Sequence, residues 1–361
     1  MNTKSRITAI IILISTLISL SISSATFAAN DDKPPKLFSN HSVMAITLSG
    51  PWRTIQRNIE DDTNYPAQIT YTTADGQQST FDVEVAPRGI SRRNTTCKFP
   101  PLKIHFDKEK MKGTEFRGNK SLKLVAYCHL NQKYEQYNTK EYLAYRIFNL
   151  ITDFSFRVQP LKVTYVDSDG KNKTITRFSF LIEDADELAN RHDMEKLTIS
   201  KVPHAKLDKV ETSNVSLFQY MIGNLDWAAT GGPDKDKCCH NSKIIAPGMD
   251  AIPKYVVPYD FDSSGIVNAH YAAPPLGLKV RTVKQRLFRG FCAHNVTIPQ
   301  AVERFQNKKP EIMALFENDP NLTDKNRANT IEYIEDFYEI INNPKNLEKS
   351  ITDKCRGPKP K

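Results

Sequence analysis

Residues 224–265 read NLDWAATGGPDKDKCCHNSKIIAPGMDAIPKYVVPYDFDSSG, and the change of period inside them organises the rest of the chain. Just upstream, Leu217, Phe218, Met221, Ile222 and Leu225 recur at helical spacing and form one apolar face that stops at Asn224-Leu225-Asp226-Trp227. A polar loop follows through Gly231, Gly232 and Cys239. The β-branched and aromatic runs 242–246 and 255–259 predict two strands, and the second opens onto Asp260-Phe261-Asp262-Ser263-Ser264-Gly265. The stretch thus offers a carboxylate behind a helix (Asp226), an amide in front of a strand (Asn241) and a carboxylate pair just past the next strand (Asp260 and Asp262).

On the N-terminal side the segments are short and β-like. Runs 43–48, 67–73 and 80–86 are rich in β-branched residues, with Asp75-Gly76 as a hairpin turn. In 102–106 apolar and polar residues alternate, which puts Lys103 and His105 on one face, and 121–127 repeats the alternation. A helix is predicted over 138–151, with Leu143, Ile147, Leu150 and Ile151 in one stripe, Asn138 or Thr139 as its cap, and Glu141 pointing away from the stripe. Strands resume at 158–166 and 174–182 around the turn Asp167-Ser168-Asp169-Gly170. On the C-terminal side, Ile331, Ile334, Phe337 or Tyr338, and Ile341 predict a helix capped by Thr323. The fold class expected is α+β with two lobes. A β-rich N-terminal lobe spans 43–184, and a mostly helical C-terminal lobe, 185–361, carries the candidate loops.

The start of the chain is read differently. Lys4 and Arg6 precede an apolar run over 7–22, and Thr26-Phe27-Ala28 supplies small residues for cleavage, so 1–28 is expected to be a secretory signal peptide and 29–42 a flexible leader. No other stretch is apolar enough to span a bilayer, so no stable membrane span is expected once the signal is cleaved. A secreted or periplasmic protein suits the six cysteines, Cys97, Cys128, Cys238, Cys239, Cys292 and Cys355, as disulfides. Six cysteines allow fifteen pairings; Cys238 and Cys239, being adjacent, are not expected to pair with each other. A zinc site from Cys238, Cys239 and His240 lacks the spacing that lets a tetrahedron close.

Composition removes several function classes. The chain is 39% hydrophobic and 25% charged, enough for a sizeable core, with only 14 glycines among 361 residues. It contains no G-x-G-x-x-G and no G-x-x-x-x-G-K-[ST], hence neither dinucleotide nor P-loop fingerprint, and neither H-E-x-x-H nor G-x-S-x-G. The net charge of +9 is spread without a block of like charges, so no nucleic-acid partner is expected.

The order Asp226, Asn241, Asp260 has a chemical sense. Phosphoryl transfer from ATP needs a carboxylate to orient the acceptor hydroxyl, an Asn and an Asp to hold magnesium, and a lysine on the phosphates. In protein kinases these parts run along the chain as lysine, helix glutamate, catalytic Asp, Asn and metal Asp. A lysine from the first lobe, Glu141, Asp226, Asn241 and Asp260 follow that order here. Each residue also has a plain structural reading. Asp226 can terminate its helix, Asn241 can serve a turn, the Asp260–Asp262 pair can form a calcium-like loop, and Arg88, Arg92 and Arg93 can be surface arginines rather than phosphate forks.

The same residues resemble the spore coat protein CotH family of atypical, kinase-like proteins. Arg88-Gly89-Ile90-Ser91 is similar to that family's R-G-N-S element, and 98–106 to its lysine-bearing strand. Tyr127 with the 138–151 helix resembles its A-P-Y…N-K-L-A-Y segment, and Phe180-Leu181-Ile182-Glu183 its Y-L-L-T-E. Asn224-Leu225-Asp226-Trp227 resembles N-x-D-W, His240-Asn241-Ser242-Lys243 resembles N-N-x-x, and 257–262 resembles I-P-W-D-F-D. The ordered matches cover roughly residues 81–268. The resemblance implies a two-lobed kinase-like fold with ATP and Mg2+ or Mn2+ as cofactors. It makes Asp226 the catalytic Asp, Asn241 and Asp260 the metal residues, and Asp262 a secondary metal or structural residue. Lys98 or Lys103, with Arg88 and Glu183, would bind the nucleotide. The chain departs from the family in the separation of fifteen positions from Asp226 to Asn241, in Pro100-Pro101 ahead of the lysine strand, and in Ile90 where the family has Asn. Two function classes follow: an exported ATP-dependent kinase acting on hydroxyls of a protein substrate, or a kinase-like scaffold without turnover that serves surface or envelope assembly.

Overall fold

The computed structural model describes residues 36–359 apart from 74, 90, 91 and 233–236. The expected signal peptide and residues 29–35 of the leader lie outside the described residues. The rest belongs to one compact unit, 34–361.

Its elements run β1 (Met44–Gly50), α1 (Trp52–Arg57), β2 (Tyr65–Thr72), β3 (Gln78–Pro87), β4 (Leu102–His105), β5 (Ser121–Val125), α2 (Lys133–Ile151), β6 (Val158–Asp167), β7 (Ile175–Ile182) and α3 (Ala185–Asn190). Then follow β8 (Glu195–Lys196), α4 (Lys209–Ile222), β9 (Ser242–Ala246), β10 (Tyr255–Pro258), α5 (Ile298–Glu317), α6 (Asp324–Asn342) and α7 (Pro344–Ser350). The architecture is α+β in two parts. The first is rich in strands, and the C-terminal part is a run of helices, α4–α7, with a small sheet of order β10-β9-β8.

The first seven strands close into a barrel of order β1-β2-β3-β4-β5-β7-β6. Neighbours pair antiparallel except β1 and β6, which close the barrel in parallel from Met44 opposite Leu161 to Gly50 opposite Asp167. Closure leaves no edge strand exposed. Because side chains alternate, one set points in. Leu48, Ile69, Val85, Ile104, Leu124, Val163 and Leu181 fill the barrel and are essentially without solvent contact. Leu37 and Phe38, from the part of the leader that is described, are buried in this cluster, and the Leu37 N–H donates to the Glu115 carbonyl at 2.8 Å. Pro100 and Pro101 stand just ahead of β4, which is paired on both sides.

The outward face of β5 and β7 meets α2 and the C-terminal helices. Phe180 and Ile182 of β7 join a second core with Tyr145 and Phe148 of α2, Phe218 of α4 and Phe261. There Phe148 stacks on Phe218 at 4.5 Å, and Tyr145 lies 4.5 Å from Phe261. Helix α2 begins at Lys133, earlier than the sequence predicts, because Asn138 and Thr139 are not caps. Asn138 donates to the Ala126 carbonyl at 2.9 Å and Thr139 to the Glu135 carbonyl at 2.9 Å, so both sit buried inside the helix. Thr323 does cap α6, accepting from the Asn326 N–H.

All six cysteines are paired: Cys97 with Cys128, Cys292 with Cys355, and Cys238 with Cys239. The last pair corrects the sequence expectation. The peptide between the two residues is cis and their Cα atoms stand 3.0 Å apart. No helix among the described residues is long and apolar enough to cross a membrane.

Candidate functional site

Helix α4 delivers the first carboxylate. Its end is fixed by Gly223 in the left-handed region, where a Cβ would collide with the Tyr333 hydroxyl. The Asn224 side chain then accepts the Asp226 N–H at 3.0 Å, and Arg289 donates to the Leu225 and Trp227 carbonyls on either side. Asp226 is held in this frame with its carboxylate 37% exposed.

The β9–β10 hairpin brings the other residues to it. Asn241 directly precedes β9, its carbonyl accepts the Tyr259 N–H at 2.9 Å, and Asp260 is the next residue after Tyr259. Asn241, just before β9, and Asp260, just past β10, both adopt positive φ, +48° and +65°. Asn241 Nδ2 donates to Asp226 Oδ2 at 3.0 Å and to the Asp226 carbonyl at 2.7 Å. His240 Nε2 lies 2.6 Å from Asp226 Oδ1. That hydrogen bond to Asp226 raises the His240 pKa above its ordinary value, against the opposing effect of burial.

A buried ionic knot lies behind Asp260. Arg92, on a wide turn after β3, donates through Nη1 to Glu141 Oε2 at 3.0 Å and through Nη2 to Glu141 Oε1 at 3.3 Å and to Asp260 Oδ1 at 2.9 Å. Its Nε stands 3.2 Å from Asp262 Oδ2. Glu141 comes from α2, whose Tyr145 hydroxyl accepts the Asp260 N–H at 2.9 Å. Asp262 is also hydrogen-bonded to Tyr271. Burial pushes the Asp260 carboxyl up, but Arg92, Arg88 and Lys123 outweigh it and hold the group below the usual range. Burial wins at Asp262, which is raised despite Arg92.

Cations converge on the open side of Asp260. Lys123, outward on β5, places Nζ 4.6 Å from the Tyr259 ring centroid, and Lys243 of β9 reaches the same ring at 5.3 Å. Burial, then Arg88 and Lys243, push the Lys123 amine down to about 7 against the pull of Asp260 and Asp184. Lys243 is lowered by burial and by Lys196 and Lys237. Arg88 lies close enough to Asp260 and Arg92 to feel both, and its buried Nε has no hydrogen-bond partner.

The structure therefore brings together Asp226, Asn241, Asp260, Asp262 and Arg88 from the sequence expectations. It does not do so for all of them. Lys98 is exposed in the segment tied by the Cys97–Cys128 disulfide, on a cavity lined by Arg53, Arg93, His129 and Tyr134. Lys103 points outward on β4, directly opposite Lys123. The Glu183 carboxylate is committed elsewhere, to Arg157 Nε at 2.8 Å, the Arg157 N–H at 3.0 Å and Arg191 Nε at 3.2 Å. Lys123 and Lys243 have no role in the sequence expectations, and His240 figures there only in the zinc site set aside for its spacing and in the N-N-x-x match. For Lys123 a signal existed: the alternation at 121–127 turns it outward on the strand just ahead of the helix that carries Glu141.

Among the described residues no group of three or more His, Cys, Asp or Glu is arranged to hold a metal ion. The oxygens left for a magnesium ion are Asn241 Oδ1 and the Asp260 oxygen that Arg92 does not take. That set suits a cation that prefers one or two protein ligands, with water and phosphate completing its shell. Asp262 is held by Arg92 and Tyr271. No protein-family model and no curated protein matches the chain.

Proposed function

We propose that the chain is an exported, kinase-like phosphotransferase that moves the terminal phosphoryl group of ATP to a hydroxyl of a protein substrate. The observation that carries this reading is the clasp of Asn241 on Asp226 by the same hairpin that presents Asp260. Kinase-type transfer needs these three side chains around one phosphate. Lys123 and Arg88 are the cations that meet the phosphates, with Lys243 beside them. Asp226 receives the acceptor hydroxyl, orients it, and takes its proton as the new O–P bond forms. The bond between the γ-phosphorus and its bridging oxygen breaks, and ADP leaves. His240 and Asn241 hold Asp226 in place. A magnesium ion on Asn241 and Asp260 would neutralise charge on the phosphate oxygens. The disulfides support a secreted or periplasmic setting.

A second reading is favoured by one observation: both Asp226 oxygens and all three carboxylates around Arg92 already have partners. This suits a kinase-like scaffold that binds nucleotide and partners in the envelope without turnover. One experiment separates the two. Incorporation of label from ATP and a melting curve with ATP and Mg2+ are measured for the wild type and Asp226→Asn. The transferase reading expects ~100- to 10,000-fold slower incorporation in the folded variant. Equal rates in the two proteins reject Asp226 as the base. Stabilisation by ATP with no incorporation in either leaves the scaffold.

A further inference from the structure

The ionic knot is built the way a metal site is built, with an arginine in the middle. Glu141 from α2 and Asp260 and Asp262 from the loop after β10 converge on one point, and Glu141 and Asp262 are 1% and 6% exposed. Buried carboxylates from separate elements gather this closely only around a positive charge. Here that charge is the Arg92 guanidinium, itself 7% exposed, whose three nitrogens each meet a carboxylate at 2.9–3.3 Å. Arg92 faces all three carboxylates, and Arg88 and Lys123 act on Asp260 from its open side. The knot also joins the two parts of the fold, since Arg92 follows β3 and both aspartates follow β10.

Protein kinases place two magnesium ions between an Asn, an Asp and the phosphates. Resting on the nucleotide reading above, we propose that the Arg92 guanidinium takes the place of the second divalent cation, so that this site carries its nucleotide with a single metal ion. Asn241 and Asp260 hold that ion. Asp262 and Glu141 bind the guanidinium and never a metal. Because a guanidinium is fixed by covalent bonds and keeps its charge at every accessible pH, it stands among the three carboxylates in the empty protein as well.

The test counts Mn2+ by electron paramagnetic resonance on the full chain, with and without a non-hydrolysable ATP analogue. With the analogue, the wild type and Asp262→Asn are each expected to take up one Mn2+ per chain, and Arg92→Met two. Two ions in the wild type, or loss of an ion in Asp262→Asn, overturns the proposal. Without the analogue, Arg92→Met is expected to gain a saturable Mn2+ site that Glu141→Gln in the same chain removes. A folded Arg92→Met that gains none overturns it. If the analogue fails to bind, the nucleotide reading falls. The arm without nucleotide still decides the role of Arg92, because a wild-type Mn2+ site sensitive to Asp262→Asn would overturn it. Should Arg92→Met not fold, the wild-type and Asp262→Asn counts carry the decision.

Discussion

Two buried glutamates, Glu141 and Glu183, face opposite situations. Glu183 is one carboxylate between two guanidiniums, Arg157 and Arg191, and also accepts a backbone N–H. Glu141 shares one guanidinium with two further carboxylates. The first arrangement is saturated, and its surplus is positive and partly in water, since the Arg157 side chain is 43% exposed. In the second, three carboxylates share one guanidinium, burial raises Glu141 to about 7 and raises Asp262 as well, and Lys123 and Arg88 lie at its rim. Saturated clusters hold elements together. Glu183 follows β7 and fixes the start of β6 and the end of α3, whereas Glu141 stands at the joint between the barrel and the C-terminal part.

The sharpest way to break this comparison is to remove the central cation. Arg92→Ala leaves three carboxylates facing one another with no cation among them, two of them buried. Breaking a buried ion pair by removing one partner typically costs about 3–5 kcal/mol, and the variant is expected to lose at least that in urea denaturation at pH 7. A loss below about 1 kcal/mol would mean that the carboxylates find other partners, and the knot would not be the joint of the fold.

Glu183→Gln should cost less, about 1.5–3 kcal/mol, the range for hydrogen bonds to a charged group. The amide keeps one oxygen for the Arg157 N–H, and Arg157 can turn into water. The comparison predicts the order: Arg92→Ala more damaging than Glu183→Gln under identical conditions. The reverse order would make the Glu183 clamp the more important of the two.

The difference between these clusters also marks what could be read from the sequence. Alternation and helical spacing located most of the strands and the main helices, because each reports a face of a local element: β9 is Ser242–Ala246 as expected, and β6 and β7 differ by about one residue. They say nothing of partners. The parallel closure of β1 on β6 pairs Met44 with Leu161 across more than a hundred residues, and no local pattern encodes that. The same holds for the site. Asp226, Asn241 and Asp260 were legible because a helix end and one hairpin hold them within 35 residues. The sequence offers Lys98 and Lys103 for the lysine, whereas the lysine that interacts with Asp260 is Lys123 on β5, and strand order, with β5 between β4 and β7, is what no local pattern reports. Arg92 meets partners 49 and 168 positions away, so only its type was visible, not its task. Glu183 is the converse: Arg157 and Arg191 stand 26 and 8 positions away, near enough to suggest a clamp.

The smallest effect expected is on the pH dependence of stability, and it tests the rim of the charged cluster. Lys123 has a folded pKa of about 7, set first by burial and then by Arg88 and Lys243, against about 10.4 for an unfolded lysine. Between these values the unfolded chain binds the proton and the folded chain does not, so the contribution of Lys123 to stability rises with pH from about 7 to about 10.4. Below about 7 the amine is charged in both states, and the contribution is flat at its least favourable level. Lys123→Met removes the charge while keeping an unbranched side chain beside the Tyr259 ring. It should therefore raise the melting temperature by a few degrees below pH 7, with the gain shrinking as pH climbs towards 10. ATP or pyrophosphate should do to the wild type what the substitution does, by supplying anionic oxygens to the unpaired amine, and neither should stabilise Lys123→Met to the same degree. A melting curve for Lys123→Met that runs parallel to the wild type from pH 6 to pH 10 would show that the amine keeps its ordinary charge. The rim would then be no more in need of an anion than the Glu183 clamp.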